Sequence, residues 1–253
     1  AALWLLSLAD RNVVTYTAAM TACGQSQQWQ SALQVFSAMK SSDLEVGIIS
    51  YNSIISALST SAKWQESFQL LEELQMRRLT PDLVTFGASV NACGSVGLWE
   101  EALHLIANFC KEHHQPEAVT FTAAIDACGV ASQWQRGLVL LSKLGKDVIA
   151  YNTAINACGD VAEWQSALML LQDVKSADMP SVQLVYTSCI AACRQQWQHA
   201  LDLLAEMKEI KVQPNLFAYN AALGACDQAG KWLEAIFLFQ ECPLVNVTLL
   251  DDV

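Results

Sequence analysis

Residues 148–171 read VIAYNTAINACGDVAEWQSALMLL, and nearly the same sentence is written seven times between residues 13 and 239. Tryptophan marks the copies most clearly: Trp29, Trp64, Trp99, Trp134, Trp164, Trp197 and Trp232, spaced by 35, 35, 35, 30, 33 and 35 residues. Upstream of each stands an aromatic, in order Tyr16, Tyr51, Phe86, Phe121, Tyr151, Tyr186 and Tyr219. Between the two markers an alanine recurs in all copies (Ala22, Ala57, Ala92, Ala127, Ala157, Ala192, Ala225), followed by Cys in six and by Leu58 in the other. A fixed period of this length is the signature of a repeat array, and it has to be read before any globular fold is considered.

Each unit reads as two helices. In the fifth, Ile149, Ile155 and the Tyr151/Ala154/Cys158 spacing give the 3–4 periodicity of an amphipathic helix. A second apolar stripe begins at Trp164 and continues through Ala167, Leu168, Leu170 and Leu171, predicting a helix over about 163–174. Gly24, Gly94, Gly129 and Gly159 fall where the first helix is expected to stop. Pro81, Pro116, Pro180 and Pro214 follow the second helix and cannot continue it. The recurring alanine and its small neighbour suit a place where helices approach closely, since a larger side chain there would overpack the pair by about 1–3 kcal/mol. The units are therefore antiparallel helical hairpins, stacked.

The boundaries follow from the pattern. Residues 1–12 align with GLVLLSKLGKD (137–147) and read as the second helix of a partial repeat. Full copies span 13–47, 48–82, 83–117, 118–147, 148–182, 183–215 and 216–253, the last with an irregular end. The copy at 118–147 is short in its second helix and following loop, and the copy at 183–215 lacks two residues between Cys193 and Trp197, which tightens its inner turn. The ragged ends lead to the expectation of a longer array with further repeats outside this sequence. The opening apolar run is too short for a secretory signal and lacks a basic flank.

Composition narrows the function. Hydrophobic residues make up 53% and charged residues 15%, as expected where stacked units cover each other's faces. No apolar run approaches the 18 residues of a membrane span, so no membrane partner is expected. The net charge of −11 works against nonspecific attraction to polyanions. The nine cysteines are mostly one per repeat and cannot converge on one ion. Cys189 and Cys193 share a helix face without a second pair, and the one close Cys/His group, Cys110 with His113 and His114, lacks a fourth ligand for zinc. Unpaired thiols in apolar helices point to a reducing compartment. No nucleophile–base pair or phosphate loop stands out, so neither catalysis nor a metal or other cofactor is expected.

A period near 34 residues also fits tetratricopeptide repeats, which bind peptides, but those place Trp early in the first helix. Here Trp opens the second. The first helix opens with VVTYT (13–17), IISYN (48–52), VIAYN (148–152) and LFAYN (216–220), and new units follow TPD (80–82) and QPN (213–215). These phrases resemble the pentatricopeptide repeat family over essentially the whole chain. The resemblance implies a right-handed superhelical α-solenoid of stacked antiparallel helix-turn-helix repeats of about 35 residues. It also implies single-stranded RNA as partner, one base per repeat, in organellar RNA processing, stability, editing or translation, in chloroplast or mitochondrion.

In that family the fifth and last residues of a unit select the base and the second packs against it. Carried over, the base-selecting residues are Thr17, Asn52 with Asp82, Thr122 with Asp147, Asn152, Thr187 with Asn215, and Asn220. The base-packing residues are Val14, Ile49, Val84, Val119, Ile149, Leu184 and Phe217. Asn52/Asp82 resembles a uracil reader, Thr122/Asp147 guanine, Thr187/Asn215 adenine, and Asn220 a pyrimidine reader. Thr17 with Gly47, Gly87 with Glu117, and Asn152 with Val182 leave three bases undefined or degenerate. In any one copy, an early Asn or Thr is often just a solvated or capping residue; recurrence in six of the seven units favours a shared role. The lysine that family members often carry near the end of the first helix is replaced here by Gln25, Thr60, Ser95, Val130, Asp160, Gln195 and Gln228. Two other classes stay open: a solenoid that binds a protein helix or basic peptide, and the RNA-gripping part of a larger nuclease.

Overall fold

A computed structural model describes residues 12–42, 44–111, 117–177, 179 and 181–241. The described residues hold fourteen α-helices and no strand. Their contacts divide the chain into two compact units, 1–131 and 132–253. The first contains α1 (Val13–Gln25), α2 (Trp29–Lys40), α3 (Ile48–Ser59), α4 (Trp64–Met76), α5 (Leu83–Gly94), α6 (Trp99–Lys111) and α7 (Ala118–Val130). The second contains α8 (Trp134–Leu144), α9 (Val148–Asp160), α10 (Trp164–Ser176), α11 (Val182–Ala192), α12 (Trp197–Glu209), α13 (Leu216–Gln228) and α14 (Trp232–Glu241). The partial repeat at 1–12, Pro116, Pro180, His113, His114 and the tail beyond 241 lie outside the described residues, Asn12 excepted.

All seven tryptophans of the series begin the second helix of their repeat. Within each unit the first helices stack in succession, α1 on α3, α3 on α5 and α5 on α7, and α9 on α11 and α11 on α13. Within each unit α2, α4, α6, α10 and α12 each lie against the first helix of their own repeat and of the next, α8 lies against α9, and α14 lies against α13. The core runs along this seam, with Tyr51, Ile54, Ile55 and Leu58 in α3 and Tyr186 and Ile190 in α11 fully buried. Each such aliphatic side chain contributes about 1.5–3 kcal/mol.

Gly24, Gly94, Gly129 and Gly159 do not stop the helices by adopting a left-handed conformation; the glycines that adopt one before second helices are Gly97 and Gly230, ahead of α6 and α14. The left-handed residues in the turns before α2, α4, α8 and α10 are Gln27, Ala62, Ser132 and Ala162. Gly24 and Gly159 instead sit inside the last helical turn, where neighbouring repeats touch. A Cβ on Gly24 would stand 2.8 Å from Cα and Cβ of Ala57, and one on Gly159 would stand 3.0 Å from those of Ala192. The recurring alanine is thus the place where successive first helices meet. In the shortened copy no residue between Cys193 and Trp197 has positive φ, and the turn closes through Gln196 N–H donating to Cys193 O at 2.7 Å.

A ladder of charges ties successive second helices. Lys40 in α2 pairs with Glu73 in α4 at 2.5 Å, Lys175 in α10 with Glu206 in α12 at 2.6 Å, and Lys208 in α12 with Glu241 in α14 at 2.5 Å. Each rung closes on the aromatic of the acid's own repeat. Tyr51 donates to Glu73 Oε1 at 2.8 Å, while Lys175 and Lys208 lie over the rings of Tyr186 and Tyr219. Between α4 and α6 the ladder positions hold Gln75 and Asn108. There a groove of about 630 Å³ opens over Phe68, Leu71 and Leu105, rimmed by Glu72, Glu100 and Glu101.

Candidate functional site

The second residue of every repeat is a large apolar side chain turned to solvent. Val14, Ile49, Val84, Val119, Ile149 and Phe217 are 59–74% exposed, and Leu184 is 46% exposed. An amphipathic helix buries its apolar residues on the core side, so a row of exposed ones, one per repeat at one register, is a surface feature the core does not require. One turn of helix further on stands the fifth residue. Asn52 and Asn152 are half-buried, as are Thr17, Thr122 and Thr187, and Asn220 is exposed.

The last residue of a repeat is the N-cap of the next first helix. Gly47, Asp82, Glu117, Asp147 and Asn215 cap α3, α5, α7, α9 and α13. Asp82 Oδ1 accepts from Thr85 N–H at 2.9 Å, Asp147 Oδ1 from Ile149 and Ala150 N–H at 2.8 and 3.0 Å, and Asn215 Oδ1 from Ala218 N–H at 2.9 Å. The side chains are fixed by the backbone donors that a helix start leaves unpaired. The copy at 148–182 differs: the N-cap of α11 is Ser181, and Val182 is already helical.

The structure joins two of the expected pairs. Asn52 Nδ2 donates to both carboxylate oxygens of Asp82, at 3.0 and 2.8 Å. The Thr85 hydroxyl lies within donating distance of both Asn52 Oδ1 and Asp82 Oδ1, and its single hydrogen serves one at a time. Burial pushes the Asp82 carboxyl up, but hydrogen bonds from Thr85 N–H, the Asn52 amide and the Thr85 hydroxyl outweigh this and hold it below its ordinary range. Thr187 Oγ1 lies 3.5 Å from Asn215 Oδ1, at the edge of bonding range, and donates to Gln183 O at 2.8 Å. Thr17 and Thr122 donate to the helix carbonyls of Val14 and Ala118, at 3.0 and 2.9 Å. Thr122 and Asp147 belong to different units. Asn152 Oδ1 accepts from Ser188 in α11 at 2.7 Å.

Sequence reasoning missed Thr85 and Ser188. For Thr85 the available signal was a hydroxyl at the third place of the first helix in four consecutive copies, Thr15, Ser50, Thr85 and Thr120; Ser188 stands at the sixth place of its repeat, outside that pattern. Chemically, each full site sets hydrogen-bonding groups beside an exposed apolar wall, an arrangement suited to the edge and face of a planar heterocycle.

The cysteines take no part. Cys23, Cys93, Cys128, Cys158, Cys189, Cys193 and Cys226 are buried. Burial pushes the Cys93 thiol up to about 12 and the Cys158 and Cys193 thiols up to about 11, away from the reactive thiolate. Among the described residues no three of His, Cys, Asp and Glu are grouped to hold a metal ion, and no helix is long and apolar enough to cross a membrane.

Helical hairpins in sequential stacks, with an exposed apolar residue in every repeat and polar pairs at Asn52/Asp82 and Thr187/Asn215, define an all-α repeat protein. The chain belongs to the pentatricopeptide repeat family. The model of the pentatricopeptide repeat domain matches residues 10–61 and 169–228, and that of the single repeat matches 49–79, together just over half of the chain. The pentatricopeptide repeat protein PPR10 from maize shares the fold, with TM-score 0.65 and 16% identity over 98% of this chain and 41% of that one. PPR10 solved in complex with an 18-nucleotide psaJ RNA element gives TM-score 0.61 and 16% identity over 91% and 40%. The nuclear proteinaceous RNase P 2 of A. thaliana gives TM-score 0.54 and 10% identity over 64% and 38%. This chain therefore spans about two fifths of the length of these structures. No curated protein matches the sequence.

Proposed function

We propose that this chain binds single-stranded RNA sequence-selectively, one base per repeat, and does so without catalysis. The observation that carries this reading is the row of exposed apolar second residues, Val14 to Phe217, beside the fifth residues and the N-cap side chains. Unpaired bases are recognised by packing on their faces and hydrogen bonding to their edges. At Asn52 and Asp82 an amide donor lies against a carboxylate acceptor. Uracil presents the complement, a carbonyl oxygen next to an N3–H, whereas cytosine would turn its N3 acceptor to the carboxylate. The PPR10 complex with RNA supports the reading through shared fold. By the same likeness, the RNA would be an organellar transcript, in chloroplast or mitochondrion, whose processing, stability, editing or translation the protein affects.

The test is selection from a randomised single-stranded RNA pool at two salt concentrations, with an Asn52→Ala/Thr122→Ala double variant alongside. Enrichment of U and G two positions apart, lost in the variant, is the expected result. A folded chain that enriches nothing would leave the second reading. That reading, a protein-binding solenoid, is favoured by the acid-rimmed groove between α4 and α6; it predicts capture of a basic peptide, with Asn52 irrelevant.

A further inference from the structure

Two of the fifth-place asparagines have their carbonyl oxygens closed by a hydroxyl from the next first helix. For Asn52 the hydroxyl is Thr85 in α5, and for Asn152 it is Ser188 in α11, at 2.7 Å. The same face-to-face register recurs one repeat after Asn52. A Cβ on Gly87, itself a fifth residue, would meet Thr120 Oγ1 at 3.4 Å. A hydroxyl on the following helix therefore stands where it can act on the fifth side chain.

The two asparagines differ on their nitrogen side. Asn52 Nδ2 is held by the Asp82 carboxylate. Asn152 has Val182 in the corresponding place, a side chain with no polar atom, and the third residue of the following repeat is Val185 rather than threonine. An amide with neither partner could present its oxygen or its nitrogen outward, and that repeat would read degenerately. Ser188 removes the ambiguity. Its hydroxyl donates to Oδ1, so the oxygen faces the protein and the Nδ2 donors are left for a ligand.

We propose that Ser188 is a specificity-determining positioning residue: by orienting Asn152 it makes the repeat at 148–182 select uracil over cytosine, although its last residue is apolar. The inference rests on the RNA reading above. Uracil offers the carbonyl O4 to the amide donors, while cytosine offers an amino group, donor against donor. Ile149, 65% exposed, supplies the adjoining apolar wall.

The experiment compares the full chain with Ser188→Ala, Ser188→Thr and Asn152→Ala. Each is run against the randomised RNA pool, then against oligonucleotide pairs differing by U or C at the one position that Asn152→Ala alters. Thermal unfolding of each variant is recorded alongside, and no change is expected for Ser188→Ala. The wild type is expected to favour U at that position by on the order of tenfold, the worth of one hydrogen bond satisfied or lost. Ser188→Ala should bring the ratio near unity without altering other positions, and Ser188→Thr should keep it. If Ser188→Ala retains the U preference that Asn152→Ala removes, or if the wild type favours C, the role of Ser188 is overturned while RNA reading stands. If neither Asn152→Ala nor Asn52→Ala changes any position, the RNA reading fails and this inference with it.

Discussion

At the level of single residues, glycine in these helices has two opposite energetic signs. Gly24 lies against Ala57, and a methyl group there would press on backbone at 2.8 Å. Overpacking of about 1–3 kcal/mol exceeds the gain of about 1 kcal/mol in helix propensity. Gly24→Ala should therefore lower unfolding stability by roughly 1 kcal/mol. Gly224 in the middle of α13 has nothing within 4 Å of its missing Cβ, so Gly224→Ala should raise stability by about 0.5–1 kcal/mol. Denaturant titration of both variants checks the pair, and equal effects would refute the contact argument. Reading the sequence located Gly24 and Gly159 at the ends of first helices but misjudged why they are there. Nothing local in CGQS (23–26) or CGDV (158–161) shows that a neighbour's alanine stands 33 positions on. The exposed second residues posed the reverse difficulty: Val14 or Ile149 in an apolar helix looks like core until the helix is placed, and only the family resemblance marked them as surface.

Helix by helix, what was legible is what each segment carries within itself. The starts of all seven second helices are visible because Trp recurs with its apolar stripe, and six first helices begin at the expected repeat boundary. The exception, α11, starts at Val182 because Ser181 takes the cap, a choice settled by turn geometry. The Lys–Glu–Tyr rungs were not legible, since each lysine and its acid are 31 or 33 residues apart on different second helices. Their energetics are modest: partly exposed pairs of this kind contribute about 0.2–1 kcal/mol, and a Lys40→Met/Glu73→Gln double-mutant cycle should return a coupling in that range. The rung also sets an acid sensitivity. Burial pushes the Glu73 carboxyl up, but hydrogen bonds from Lys40 and Tyr51 and the charges of Lys40 and Arg77 leave it below its ordinary value of 4.5. A carboxylate lowered in the folded state binds its proton more readily when unfolded, so its contribution is present above that ordinary value and is lost as pH falls through the lowered one. Acid titration of stability should accordingly show a smaller loss below pH 4.5 in Glu73→Gln than in wild type. An identical pH profile in the two proteins would mean the rung carries no linked proton.

For the whole molecule, the balance of charge decides what kind of RNA binding is open to it. A net charge of −11, with Lys40, Lys175 and Lys208 already paired to acids along the second helices, leaves few cations to neutralise phosphates. Each phosphate neutralised on a single strand steepens the slope of log K against log salt by about 0.7. The slope for this chain should therefore be shallow, about −2 or less in magnitude. On the proposed reading, affinity would then come chiefly from base faces on the apolar second residues and base edges on the fifth, terms that salt hardly touches. Two variants separate the contributions. Asn52→Ala should weaken binding to the selected RNA about tenfold at every salt concentration, leaving the slope unchanged, because it removes a short-range edge contact. Gln25→Lys, which places a cation near the end of α1, should tighten binding mostly at low salt and steepen the slope, because it adds a phosphate contact. A steep slope in the wild type, together with loss of slope in Asn52→Ala, would mean that phosphate attraction dominates and that the polar row is not a reader of bases.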